Sequence, residues 1–175
     1  MMLARVFLGL FAMAIVTGCN DDNSSSDDSP KAFGYCRMFK SLLEIHDITI
    51  QPATAFSPGE SITFSATIAN TSAEPAQLST GGCNDIVFEV HNSVGQVVWN
   101  SEAGIACIAV PRTIKFTAFE QQTRAQSWQA VVNGVAAPVG SYTVLAKAGH
   151  DGIDADGNTF GCDDNLNTSA RFTIR

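Results

Sequence analysis

Between Ser61 and Asn70 apolar and polar residues alternate without a break. Ile62, Phe64, Ala66 and Ile68 fall on one side, and Ser61, Thr63, Ser65 and Thr67 on the other. A period of two suits a pleated strand with one face in a core, and no helix can sort these residues onto opposite faces. The same period recurs along the chain. Ile86, Phe88 and Val90 share a face in Asp85 to His91, and Gln96 to Trp99 returns from the turn Asn92-Ser93-Val94-Gly95. Tyr142, Val144, Ala146 and Ala148 align in Ser141 to Gly149, as do Ala170, Phe172 and Ile174 in Thr168 to Ile174. Ile45 to Gln51, Ile114 to Phe119 and Thr123 to Val132 are expected strands too, and only Met38 to Leu43 suggests a helical turn. Turn residues separate the runs at Ser57-Pro58-Gly59, Asn133-Gly134 and Pro138-Val139-Gly140. Many short strands at this spacing specify an all-β sandwich or barrel.

The chain has 175 residues, 45% of them hydrophobic, enough for one domain with one core. Its formal net charge is −7, an acidic balance that repels phosphate backbones and sets nucleic acid aside as a partner.

The N-terminus reads as an address. Met1 to Arg5 is short and basic, and Val6 to Val16 is an apolar run too short to span a bilayer. It ends in Val16-Thr17-Gly18-Cys19, which resembles the bacterial lipobox: an aliphatic residue, two small residues, then cysteine. The resemblance implies a signal peptide over 1–18, cleavage after Gly18 and acylation of Cys19, giving a lipoprotein held in the bilayer outside the cytoplasm, periplasmic or at the surface. Each buried methylene contributes about 0.8 kcal/mol, so two or three chains anchor firmly. Cleavage would also remove Arg5 and take the net charge from −7 to −8. Residues 19–32 follow as an acidic Ser/Asp linker with nothing apolar from Asn20 to Pro30, expected to be disordered. The folded domain is expected over 33–175.

Cys19 aside, four cysteines remain: Cys36, Cys83, Cys107 and Cys162. An even number in an exported chain suggests two disulfides, with three connectivities open. No pair has CxxC spacing, which argues against redox and zinc motifs.

Several segments, in order, carry a family resemblance. Ile68-Ala69-Asn70-Thr71-Ser72 followed by Leu78 looks like a V-x-N-x-S…L segment. Asp85 to Val90 leading to Gly95-Gln96-Val97-Val98-Trp99 looks like D-F-x-V…G-x-x-V-W. Trp128 and then Pro138-Val139-Gly140-Ser141-Tyr142-Thr143-Val144 look like W…P-x-G-x-Y-x-V. Together, over about Ile45 to Ala148, they resemble the BsuPI-like domain, named for an intracellular proteinase inhibitor. The resemblance implies an immunoglobulin-like antiparallel β-sandwich and makes proteinase inhibition an expected activity. This chain departs from it in its export signal, its extra cysteines and an acidic loop after Ala148. Trp99 and Trp128 are expected in the core, and Tyr142 as a tyrosine corner.

On such a sandwich all four cysteines come to the end where the first strand starts, where the second and third strands are joined and where the last hairpin turns. That placement favours Cys83–Cys107 and Cys36–Cys162, worth about 3.5 and 5 kcal/mol by chain entropy. The loops at that end, Ser79 to Asp85, Glu102 to Arg112 and Asp151 to Asn167, are then the expected contact surface for a protein partner, either a protease or an envelope protein.

Catalytic chemistry finds no support. His46, His91 and His150 are scattered without a metal spacing, no Gly-x-Ser-x-Gly elbow exists, and no cofactor is implied. In the register of a calcium loop, Asp154 and Asp156 fit ligand positions and Asp163 the last one. The first position is Gly152, however, and the flanks are strands, so a solvated acidic loop is the better reading. The expected function is a membrane-anchored, non-enzymatic binding module. The alternative is a calcium-dependent adhesion or structural lipoprotein.

Overall fold

A computed structural model describes residues 36–81, 83–106, 110–153, 157, 159–162 and 166–175. The expected signal over 1–18, the lipidated Cys19, the linker, Cys107, Asp154, Asp156 and Asp163 therefore lie outside the described residues.

The chain forms two facing antiparallel sheets. One holds β1 (Phe39–His46), β3 (Ile62–Asn70) and β8 (Gln121–Trp128), in the order β1-β3-β8. The other runs β2 (Ala55–Phe56), β14 (Thr168–Ile174), β11 (Gly140–Lys147), β5 (Val87–Asn92), β6 (Val97–Asn100), with only the β2–β14 pair parallel. The first strand thus starts in one sheet and switches to the other. Strands β3 and β8 stay together opposite β5, β11 and β14, which is the immunoglobulin-like key. A third sheet combines β13 (Thr159–Gly161), β12 (His150–Ile153), β4 (Ala76–Thr80) and β7 (Arg112–Phe116) in the order β13-β12-β4-β7. A small hairpin, β9 (Val131–Val132) and β10 (Val135–Ala136), joins β8 to β11.

The alternation seen in β3 becomes burial: Ile62, Phe64, Ala66, Ile68 and Asn70 all face inward, and the residues between them are half exposed. Aromatic rings fill the space between the sheets. Phe172 lies 5.8 Å from Phe64, 5.9 Å from Phe56, 6.3 Å from Trp128 and 5.6 Å from Tyr142. Trp128 is buried, and Trp99 is partly buried against it at 6.4 Å. The Tyr142 hydroxyl donates to the Pro138 carbonyl at 2.7 Å, and burial raises its pKa.

Some expected boundaries move. The first strand occupies Phe39–His46, where a helical turn was expected, and it ends before the expected run to Gln51. Phe39, Leu43 and Ile45 pack inward and leave Leu42 exposed, so the adjacent leucines obscure the period. The strand stops because Asp47 holds a tight turn. Its carboxylate accepts Thr49 N at 2.8 Å, Thr49 Oγ1 at 2.6 Å and Gln51 N at 3.1 Å, and these bonds, Thr49 first, keep its pKa below the ordinary value. Likewise β7 ends at Phe116, and Phe119 sits exposed in a turn with φ 58°. The described part of the expected acidic loop after Ala148 contains the β12–β13 hairpin, because Leu78 and its neighbours on β4 supply a ladder for it. One disulfide is described where two were expected.

Candidate binding pole

The third sheet is made of connections. Strand β4 lies between β3 and β5, β7 between β6 and β8, and β12–β13 between β11 and β14, so three interstrand segments meet at one pole. They pair in register: Leu78 stands opposite Ile114 on one side and Gly152 on the other. Ala76, Leu78 and Thr80 turn inward with Ile86, Phe116, Ala148 and Leu166, giving the pole its own extension of the core. Strands β4 and β7 carry the β3–β8 ladder onward past an elbow. Fully buried Asn70 fixes the elbow, its Nδ2 donating to Glu74 O (2.8 Å) and Thr117 O (2.9 Å). Its Oδ1 accepts Ser72 N (3.0 Å) and Ser72 Oγ (2.8 Å). Asn70 and Ser72 of the V-x-N-x-S-like segment therefore have a structural task.

A disulfide closes the pole. Cys36 precedes β1, Cys162 follows β13, and the two are bonded with Cα atoms 5.3 Å apart. Leu166 N–H donates to Cys162 O at 3.2 Å, and Ala148 N–H to Asn167 Oδ1 at 2.9 Å. Cys83 belongs to the β4–β5 connection at this same pole; its expected partner, Cys107, falls outside the described residues, and so does that pairing.

Below the pole a cleft of about 220 Å³ opens between the sheets, lined by Asp85, Ile86, Phe88, Arg112, Arg124 and Gln126 among others. Asp85 is its most buried charged side chain, 13% exposed. Arg112 Nη2 donates to its Oδ1 at 3.0 Å and to Cys83 O at 2.9 Å, while Arg124 Nε and Nη2 reach its Oδ2 at 2.9 and 2.7 Å. One carboxylate between two guanidiniums leaves a local positive excess in an acidic chain. Nearby, Glu102 accepts Asn84 N and Nδ2 at 3.1 and 3.0 Å, tying the β6–β7 connection to the β4–β5 one.

The other charged group of note is on the outer face of β5. Glu89 accepts Lys147 Nζ at 2.6 Å, His91 Nε2 at 3.1 Å and Asn100 Nδ2 at 3.3 Å. Burial pushes its carboxyl up, but Lys147 and His91 outweigh burial and hold the pKa below the ordinary value. These partners satisfy one another on a sheet face. Among the described residues no three His, Cys, Asp or Glu side chains are grouped to hold a metal ion.

Sequence reading placed Asp85 and Arg112 in the contact loops but did not single out Arg124. The available signal was periodicity. Gln122, Arg124, Gln126 and core Trp128 share one face of β8, so a charge lies in line with a core residue.

No known protein family's sequence profile matches the chain, and no curated protein does. Among solved structures, similarity extends to the CARDB domain of the PF1109 protein from Pyrococcus furiosus. That match has TM-score 0.42 and 9% identity, covering 79% of this chain and 90% of that one. The C-terminal domain of wzt matches with TM-score 0.41 and 9% identity over 79% and 74% of the two chains. The alkylpurine DNA glycosylase AlkC of Pseudomonas fluorescens matches with TM-score 0.40 and 17% identity over 79% and 30%. Likeness of this size assigns neither family nor function.

Proposed function

We propose that this chain is a membrane-anchored, non-enzymatic protein-binding module of the cell envelope, tethered through acylated Cys19 and working through its disulfide-closed pole. One observation carries the reading: three interstrand connections, ordinarily irregular, are assembled into a paired sheet and closed by Cys36–Cys162. Loops held in one shape bind without a large ordering cost. An intramolecular disulfide also suits an oxidising compartment beyond the cytoplasm. The second pairing, Cys83–Cys107, belongs to this proposal, and the disulfide-bonded state of Cys83 supports it. Cys36 stands at the same pole, so a tether from Cys19 through residues 20–35 would hold this surface about 20 Å from the bilayer on average. That favours a partner which itself sits at the membrane. A membrane-associated protease is the partner class that the BsuPI-like resemblance suggests.

The test is a photo-crosslinker placed singly at Ser79, Glu102 or Asp151 on the pole, and at Val94 or Val139 at the other end, in intact cells. Expected is one discrete adduct from the pole positions and none from Val94 or Val139. Adducts from the far end alone, or from neither, would overturn the proposal. A protease panel at high concentration tests the inhibitor version, which a uniform lack of inhibition would remove.

A further inference from the structure

The two main sheets are unequal. Three strands, β1-β3-β8, face five, β2-β14-β11-β5-β6, and among the described residues nothing pairs with the outer side of β8. In an immunoglobulin-like layout a fourth strand can run in that lane. Without a described strand there, β6 is short of cover. Trp99 on β6 is only partly buried although it touches Phe64 at 5.8 Å, and the cleft opens beside Phe88.

The hydrogen-bonding parity of β8 follows from its register. Asn70 N–H donates to Glu120 O at 2.9 Å, and the β3–β8 pairing continues in the same register to Ile62 and Trp128. Bonded pairs alternate along an antiparallel ladder. Gln122, Arg124, Gln126 and Trp128 therefore bond to β3, and Gln121, Thr123, Ala125 and Ser127 aim their N–H and C=O groups away from it. The one contact described for these outward groups is Arg124 Nη1 to Thr123 O at 3.1 Å. Proteins usually guard such an edge with proline, a bulge or outward charges. Gln121–Trp128 has no proline, an unbroken register over eight residues, and one charge, which is turned onto Asp85. The charges along this margin are basic: Arg112 and Lys115 on β7, and Arg124. Two carboxylates lie among them: Asp85, shared by Arg112 and Arg124, and Glu120, which accepts Thr117 N at 2.6 Å, Thr117 Oγ1 at 3.0 Å and Gln122 Nε2 at 3.0 Å, so three cations against two anions leave a positive excess.

We infer that the β8 edge accepts an extended acidic segment of a partner protein. The segment adds as a fourth strand along Gln121–Ser127, covers the side of the core at Trp99, and sets carboxylates against Arg112 and Arg124. Strand addition of this kind takes affinity from the main chain and selectivity from alternate side chains. A second copy of this chain fits less well, because the fullest antiparallel self-pairing sets Arg124 beside Arg124. The inference depends on the protein-binding reading above and adds the partner's chemistry and its landing place.

The full chain in detergent micelles is titrated with a fluorescent twelve-residue peptide alternating Glu and Val, and with the same peptide carrying Gln for Glu. The Glu peptide is expected to bind and the Gln peptide to bind roughly tenfold more weakly or not at all. Arg112→Gln should weaken the Glu peptide several-fold. Ala125→Pro, which removes an outward N–H at an edge, should weaken both peptides at least tenfold. Should Ala125→Pro fail to fold, amide exchange of the unmodified chain decides: added Glu peptide should slow Thr123, Ala125 and Ser127 and leave Val94 unchanged. Equal binding of the two peptides, or protection away from β8, overturns the inference. So does a dimer that protects β8 without peptide, or peptide-free protection lost when Asp21, Asp22, Asp27 and Asp28 become Ser. If pole crosslinks persist while β8 stays unprotected, the inference alone falls and the binding reading stands.

Discussion

Asn70 and Phe172 hold the molecule in different ways. The four polar contacts of Asn70 satisfy the elbow where β3 gives way to β4, and its side chain is cut off from water. Asn70→Ala would leave Ser72 N without its acceptor, while Glu74 O and Thr117 O would keep only their bonds from Ser72 Oγ and Glu120 N, and it should cost about 2 kcal/mol in urea unfolding, since an unsatisfied donor costs on the order of 1–3 kcal/mol. Phe172 supplies packing, and Phe172→Ala should cost about 3–5 kcal/mol with its cavity. Glu89 sets a pH dependence. Its folded pKa lies below its ordinary 4.5, so its stabilisation is full above that value and is lost as pH falls through the lower one. Melting temperatures measured from pH 6 down to pH 3 should therefore fall less steeply in Glu89→Gln than in the unmodified chain. An identical slope would show that the bonds from Lys147 and His91 contribute nothing.

At the scale of elements, the disulfide and the third sheet make the pole. Cys36 and Cys162 are 126 residues apart, and opening that loop in the double Ser variant should cost about 5 kcal/mol by chain entropy. A melting temperature lowered by less than a few degrees would mean that the paired strands hold the pole unaided. Strands buried on one face were legible in the sequence: β3, β5, β11 and β14 follow their alternation closely. Strands β4, β12 and β13 were not. They are three to five residues long and carry Gln, Ser, Asp and Gly, so their pairing comes from neighbours that only the fold assembles. Arg124 escaped notice for a related reason: an edge strand tolerates polar residues on its inner face, so only the spacing from Trp128 marks the side on which Arg124 lies.

At the scale of the whole molecule, polarity matters most. The described chain begins at the pole that the disulfide closes, and the far end carries the β5–β6 turn and the β9–β10 hairpin. An acyl anchor at Cys19 would hold the closed pole toward the bilayer and leave the far end free. Export, acylation and oxidised sulfurs must occur together in the native protein, and intact mass spectrometry of protein extracted from membranes with detergent tests all three. The predicted species begins at Cys19, carries the mass of two or three acyl chains, and gains no alkylation until a reductant is added. A chain still beginning at Met1, with alkylatable thiols at Cys36 and Cys162, would contradict it.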